Sequence, residues 1–188
     1  MKKILLLPYI LVFVYYSKRI PLILEDLKAW KRFIAIDESV SDVDAFVMLL
    51  CKRNEYRTVF YHRLPFAVRH ICNIFLKRVQ NCYLHSNISG GVIIQHGFSS
   101  IIVAESIGTN FCFHQNCTVG WGKDGKPVIG NNVTMYAGAV VAGKIRIGNN
   151  VRISANAFVR TDVPDNSIAY GNPCVIRKME SKSKKADT

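Results

Sequence analysis

The sequence predicts a left-handed parallel β-helix preceded by an α-helical domain, and two observations lead to that fold class. All 12 glycines fall between residues 90 and 171, so the chain changes character near its middle. Within the glycine-rich half, aliphatic residues recur every six positions, at Ile129, Met135, Val141, Ile147, Ile153 and Val159. A period of six fits neither an α-helix nor an alternating strand. It is typical of a triangular prism in which three hexapeptides make one coil of about 18 residues.

Residues 1–80 are expected to form a helical packing and oligomerisation domain. One helix is indicated by apolar residues at three- and four-residue spacing, namely Val43, Phe46, Val47 and Leu50. Ser41 or Asp42 is the candidate N-cap of that helix. Two more helices are predicted over about 55–64 and 66–79, separated by a proline.

Residues 4–16 form an apolar run that follows two lysines and imitates a secretory signal. No small-residue cleavage site follows it, and the run is shorter than the roughly 20 residues that cross a bilayer. Two interpretations are carried forward: a buried helix that helps form an oligomer, and a segment that makes peripheral contact with a membrane surface. A cleaved signal is the third and least favoured.

Residues 81–178 are expected to form the β-helix, and the polar tail at 179–188 is expected to be disordered. The inward register extends backward through Val119, Phe113, Ile107 and Ile101. After Val119 the next inward residue comes ten positions later, which predicts an external loop at 120–127. Upstream, Gln95 and Ser89 occupy the aliphatic slot, so irregular first coils are expected.

Composition excludes several functional classes. The net charge of +12 is spread along the chain without the signatures of nucleic-acid-binding modules, so no nucleic acid partner is expected. The six cysteines lack metal-ligand spacing and lie in apolar runs. They are interpreted as reduced core thiols of a cytoplasmic protein, and no metal is expected.

Two histidines break the repeat pattern. In this register His96 and His114 each follow an inward residue and are separated by one coil, which predicts that they stack on one face. Residues that violate a regular repeat are candidates for function, and imidazole accepts a proton near neutral pH. His96 is therefore the candidate general base. A solvated surface histidine stays an open alternative for His114, and His62, His70 and His85 are interpreted as structural.

Several stretches of the chain match one family: Gln95-His96-Gly97-Phe98, Ala104-Glu105-Ser106-Ile107-Gly108, Gln115-Asn116-Cys117-Thr118-Val119-Gly120, Asp162-Val163-Pro164-Asp165-Asn166-Ser167 and Gly171-Asn172-Pro173. Together they resemble the serine acetyltransferase branch of the hexapeptide-repeat acyltransferases, over about residues 81–178. The resemblance implies a homotrimer that binds acetyl-CoA between adjacent prisms. It also implies direct transfer of the acetyl group to a hydroxyl, with His96 as the base and without a metal.

The resemblance further implies which residues contact acetyl-CoA. Ala137, Gly138 and Ala155 would line a side-chain-poor groove for the pantetheine arm, since Ala137 and Ala155 are one coil apart. The nucleotide phosphates would meet Arg160, Thr161, Arg177 and Lys178. Val175 stands where the family has an arginine.

The acceptor is predicted from departures from the serine-specific pattern. Gln95 and Tyr83 replace two expected aspartates, and Asp124-Gly125-Lys126-Pro127 replaces an Asp-Arg-His-Pro stretch. These changes favour a sugar hydroxyl of a cell-surface polysaccharide or its precursor, because short relatives of this pattern resemble capsule, O-antigen and exopolysaccharide acetyltransferases. Candidate acceptor contacts are His114, Gln95, Glu105, Trp121 and Tyr136. The alternatives are L-serine as acceptor and, from another class, a non-catalytic trimeric scaffold.

Overall fold

The computed structural model describes residues 6–179, in which helices precede a stack of short strands. The helices are α1 (Leu7–Ser17), α2 (Leu22–Phe33), α3 (Asp42–Lys52), α4 (Asn54–Arg63) and α5 (Phe66–Phe75). The strands are β1 (Cys82–Leu84), β2 (Asn87–Ile88), β3 (Ile93–Ile94), β4 (Ser100–Ile102), β5 (Ser106–Ile107), β6 (Cys112–Phe113), β7 (Thr118–Gly120), β8 (Val128–Ile129), β9 (Thr134–Met135), β10 (Val140–Ala142), β11 (Arg146–Ile147), β12 (Arg152–Ile153), β13 (Phe158–Val159), β14 (Ser167–Tyr170) and β15 (Val175–Lys178). The predicted disordered tail beyond Met179, and the first two residues of the apolar run, lie outside the described residues.

The strands form the three faces of a prism, because consecutive strands along the chain join successive faces. Face 1 contains β1, β4, β7, β10 and β13, and face 2 contains β2, β5, β8 and β11. Face 3 contains β3, β6, β9, β12 and β14, with β15 paired antiparallel to β14. All other strand pairs are parallel. The predicted fold class is confirmed.

The six-residue register is confirmed from Ile107 to Val159, where every predicted inward residue is buried. One edge of the prism, between faces 2 and 3, is stabilised by a ladder of asparagines with positive φ angles. Their side-chain amides donate to one another at 2.9–3.0 Å, in the order Asn110, Asn132, Asn150, Asn166. Asparagine tolerates the left-handed backbone that a sharp corner requires.

Upstream of Ile107 the predicted register is wrong. Ile101 is 46% exposed, and Ile102 occupies the core instead. Ile94 pairs with Phe113, so Gln95 does not fill the aliphatic slot; Ile88, paired with Ile107, likewise replaces Ser89. The physical reason is the long corner after Ile94. The next inward residue, Ile102, comes eight positions later, and the one after it, Ile107, comes only five positions later.

The predicted external loop is present at 121–127, one residue shorter than expected, because Gly120 ends β7 and pairs with Ala142. Val119 pairs with Val141, so this coil is four residues longer than the 18 that separate Val141 from Val159. Trp121 is 68% exposed in the loop, and Gly122 and Gly125 form an antiparallel bridge within it.

The predicted helices are present with two refinements. Ser41 is the N-cap of α3, since its Oγ accepts a hydrogen bond from the amide of Asp44 at 3.1 Å. Helix α5 ends at Phe75, four residues earlier than predicted. The amides of Arg78 and Val79 donate instead to the side chains of Asn73 and Thr58, which draws the chain out of the helix.

The N-terminal helix α1 is buried on one side only. Tyr9 and Phe13 pack into the helical core, where the Tyr9 hydroxyl donates to the Cys72 carbonyl at 2.7 Å. Leu11 and Tyr15 on the other side are exposed. Within residues 6–179 no single helix is long and apolar enough to cross a membrane; α1 and α2 meet that test only together, across a bend of 115°.

The expectation of core cysteines holds only in part. Cys72, Cys82 and Cys117 are buried, whereas Cys51 is exposed. Burial raises the pKa of the Cys82 thiol to about 12, so this cysteine stays protonated at neutral pH.

A buried ion pair joins the helices to the first coil. Arg63 on α4 donates to both carboxylate oxygens of Asp26 on α2, with Nε 2.8 Å from Oδ2, and both side chains are at most 5% exposed. Asp26 also accepts from the amides of Gly91 and Val92, and Arg63 donates to two carbonyls of the first coil. The pair therefore fixes the coil that carries His96 against the helical core.

Candidate active site

The predicted site residues lie on two different edges of the prism. The histidine edge, between faces 3 and 1, consists of residues 95–99, 114–117, 136–139 and 154–157. The loop edge, between faces 1 and 2, consists of residues 85–86, 103–105, 121–127, 143–145 and 160–162. Backbone hydrogen bonds stack the corners of the histidine edge on one another: the amides of Asn116, Gly138 and Asn156 donate to the preceding corner at 3.0 Å.

His96 lies exposed at the tip of the first corner of the histidine edge. The Gly97 amide donates to the Gln95 carbonyl at 2.8 Å, which makes a γ-turn centred on His96, whose φ is +66°. Gamma-turns with positive φ at the centre are rare and strained, and such strain clusters at functional sites. Most other non-glycine residues with positive φ in residues 6–179 are asparagines, so the imidazole at this corner is not explained by turn geometry.

Beside His96 runs a column of polar rings. The backbone ladder aligns Gln95 with His114, and His114 with Tyr136. The prediction that His96 itself stacks on His114 is therefore wrong by one residue, because the first coil is longer than 18. The rings of His114 and Tyr136 lie 5.2 Å apart.

His114 has an unpartnered nitrogen in this column. Its Nε2 is buried without a hydrogen-bond partner, as is Oε1 of the adjacent Gln115. Burial, with a smaller contribution from the charge of His96, lowers the pKa of His114 below its ordinary value. The imidazole is therefore less readily protonated than an ordinary histidine.

Next to the rings the same edge carries small residues. Ala155 is exposed and Ala137 is half-buried, and the Asn156 amide donates to the Ala137 carbonyl at 3.0 Å. Gly138 has a φ of +71°, and a Cβ there would meet the Asn156 side chain, so this position requires glycine. A stretch of small residues, called the groove below, therefore runs along this edge.

The loop edge carries the other predicted residues: Glu105, Trp121, Arg160 and Thr161. One chain therefore does not bring Glu105 to His96, and Glu105 cannot orient that imidazole within a protomer. The cations predicted for the nucleotide phosphates are also divided. Arg160 lies on the loop edge, 5.9 Å from the Phe158 ring, whereas Arg177 and Lys178 lie on β15 at the end of face 3.

Sequence reasoning missed Ser100. This residue is fully buried, its hydroxyl donates to the His114 carbonyl at 3.2 Å, and it accepts from the Cys117 amide at 3.1 Å. It thereby ties the corner that follows His96 to the corner that carries His114. Its signal was a polar residue at an inward position, two before Ile102.

Among residues 6–179, no three histidine, cysteine, aspartate or glutamate side chains cluster in a way that could hold a metal ion.

Comparison with known sequences shows that residues 126–161 match the family described as bacterial transferase hexapeptide (six repeats). The chain is 34% identical over 135 residues to a serine acetyltransferase of Synechococcus elongatus, an alignment that covers 68% of this chain and 54% of that relative. The chain spans about half the length of the curated relatives it matches.

Solved structures show the same fold. The serine acetyltransferase of Brucella abortus strain S19 is 20% identical with a TM-score of 0.64, over 86% of this chain and 70% of that one. A serine acetyltransferase in complex with CoA is 21% identical with a TM-score of 0.56, over 86% of this chain and 72% of that one. At these identities the likeness concerns the architecture alone.

Proposed function

We propose that this protein is an acetyl-CoA-dependent O-acetyltransferase in which His96 is the general base. The observation that carries the proposal is the exposed imidazole held in a strained γ-turn beside a groove of small residues. A relative named serine acetyltransferase at 34% identity supports the same reaction class.

His96 would act directly on the acceptor. Its imidazole removes the proton of the acceptor hydroxyl while that oxygen attacks the thioester carbonyl carbon. The carbon–sulfur bond breaks, and the protonated imidazole returns the proton to the departing thiolate. Acetyl-CoA enters as a substrate that is already activated, so this chain supplies proton transfer and orientation.

We further propose a homotrimer, because one chain holds only part of the site. The base, the ring column and the groove lie on the histidine edge, whereas Trp121, Glu105 and Arg160 lie on the loop edge. Packing three prisms around an axis would bring the loop edge of each protomer to the histidine edge of its neighbour. Sites shared between protomers would explain why residues that break the hexapeptide pattern occur on two separate edges of the prism.

L-serine is the acceptor that the named relatives favour. The histidine edge holds no aspartate or glutamate, so the serine ammonium would have to meet a carboxylate of the neighbouring loop edge, with Glu105 and Asp124 available there. A saccharide is kept as the second candidate because Gln95, His114 and Tyr136 offer hydrogen bonds and ring surfaces in place of charges.

The acceptor is tested by thiol release from acetyl-CoA with L-serine, nucleotide sugars and oligosaccharides. We expect L-serine to be acetylated, and Glu105→Gln to lower kcat/KM for L-serine by about tenfold because the ammonium loses its charged partner. Rapid acetylation of a sugar with L-serine inert, and no effect of Glu105→Gln, would instead favour the saccharide. If no acceptor gives thiol release, the result would favour the hypothesis of a non-catalytic trimeric scaffold.

The groove is tested by Ala155→Leu. We expect the dissociation constant of acetyl-CoA to rise about tenfold or more, since an isobutyl group would fill the groove at an exposed position without disturbing the core. The measurement is calorimetric titration with acetyl-CoA. Ala67→Leu, an exposed change on α5, is the matched control, and equal affinity in both variants would contradict the placement of the groove.

A further inference from the structure

A cavity of about 310 Å³ opens between α4, α5 and β1, away from the groove. Helix α4 supplies one side of it, α5 the second, and the first strand of the β-helix the third. Its lining residues are Thr58, Tyr61, His62, Phe66, Arg69, His70, Asn73, Arg78, Tyr83, Leu84 and His85. The three histidines that sequence reasoning interpreted as structural therefore share one solvent-accessible space.

The lining is rich in cationic groups and contains no carboxylate. Two arginines and three histidines face the cavity. Neither Arg69 nor Arg78 takes part in an ion pair within residues 6–179, where the ion pairs are Lys31–Asp42 and Arg63–Asp26. Uncompensated guanidinium groups around a concave space attract anions.

Several of these groups are held in place. The Arg78 guanidinium donates to the Cys82 carbonyl at 3.4 Å, and the His70 Nδ1 contacts the Phe66 carbonyl at 2.8 Å. The rings of Tyr83 and His85 stack with centroids 6.2 Å apart. Because the Arg78 contact uses only one of its guanidinium N–H groups, its other donors are left for a ligand.

The pKa of His62 responds both to burial and to the positive charges around it. Burial lowers the pKa of His62 to about 4, and the charges of Arg63, Arg69 and His85 contribute to the shift. A bound anion would offset those charges and raise the pKa of His62. Its titration is therefore a direct probe of occupancy.

Helix α5 also carries exposed apolar side chains that do not line the cavity. On α5, Ile71, Ile74 and Phe75 point to solvent, with Phe75 77% exposed, and the helix contains no acidic residue. The cations of the cavity would bind a phosphorylated lipid head group, and the exposed apolar side chains elsewhere on α5 would contribute to membrane contact. The cationic groups of the cavity would also bind a free phosphate.

We infer that this cavity binds a phosphate group, carried by an anionic lipid or by a phosphorylated small molecule. Guanidinium pairs match the geometry of phosphate oxygens, and the cavity has room for such a group. The inference is independent of acetyl transfer.

The test measures binding of inorganic phosphate and of vesicles by the full chain. The vesicles contain phosphatidylcholine alone or phosphatidylcholine mixed with phosphatidylglycerol. Arg69→Gln/Arg78→Gln should weaken binding of phosphate, of the anionic vesicles, or of both, by about tenfold or more, because two charge-assisted contacts are lost. Lys28→Gln/Arg32→Gln removes the same charge from exposed positions on α2 and should leave binding within about twofold.

The arms separate the sources of the phosphate. Binding of free phosphate that raises the pKa of His62 in an NMR titration supports a small-molecule ligand, and binding of anionic vesicles alone supports a lipid head group. The inference is overturned if neither probe binds, or if the α2 control loses as much affinity as the cavity variant. Circular dichroism on each variant establishes that the fold is intact.

Discussion

Replacing His96 with asparagine should lower turnover by about 100-fold or more, which is the usual contribution of a general base. Asparagine is the informative substitution because it accepts positive φ, as it does at other corners of this β-helix. The γ-turn would then persist while the basic nitrogen is lost. Alanine would remove the base and strain the turn together.

Steady-state kinetics of thiol release measure this effect, alongside titration with acetyl-CoA and the mass of the assembly. Ser99→Asn is the matched control, because Ser99 is an exposed residue of the same corner with a φ of +54°. We expect the control to retain turnover within about twofold, and both variants to bind acetyl-CoA normally. Wild-type turnover in His96→Asn would remove the histidine from the mechanism.

Asp26→Asn should lower the free energy of unfolding by about 3–5 kcal/mol, the usual effect of breaking a buried ion pair. The substitution leaves the Arg63 guanidinium buried without its charged partner. Burial raises the pKa of the Asp26 carboxyl, although the Arg63 guanidinium and the Gly91 and Val92 amides oppose that rise. The carboxylate is therefore costly to bury and depends on these contacts.

Urea unfolding at a fixed protein concentration measures this loss. Asp42→Asn is the comparison, since its pair with Lys31 spans 3.6 Å and Asp42 is half-exposed. Exposed pairs contribute at most about 1 kcal/mol. Equal losses in the two variants would show that the Asp26–Arg63 pair is not what joins the helices to the first coil.

The fold could be predicted from the sequence where the repeat is regular. The prediction failed where the number of residues per coil changes. From Ile107 to Val159, burial of one aliphatic residue per side follows directly from the period. Before Ile107 the corner holding His96 is longer, so continuing the same count placed Ile101 in the core instead of Ile102. The pairs Ile93-Ile94 and Ile101-Ile102 leave the choice of inward residue open in the sequence.

The candidate site was predicted as a set of residues but not as an arrangement. Small residues one coil apart do stack, because that coil has 18 residues. Glu105 and Trp121 lie on another edge of the prism. The edge that a residue occupies depends on how many corners precede it in the chain, and the residue type does not reveal that number. The Asp26–Arg63 pair was not predicted, since an aspartate on an amphipathic helix is usually solvated and nothing local distinguishes this one.

Arg177 and Lys178 lie on the antiparallel strand β15, so they affect self-association as well as nucleotide binding. A β-helix without a terminal cover would present a row of unpaired backbone groups to the next molecule. Strand β15 occupies that row on β14, and the exposed Arg177 and Lys178 place charges on the new edge strand, which discourage end-to-end polymerisation. Neutralising these residues to probe nucleotide binding would therefore also promote filament growth, and kinetic effects should be interpreted together with the size distribution of the sample.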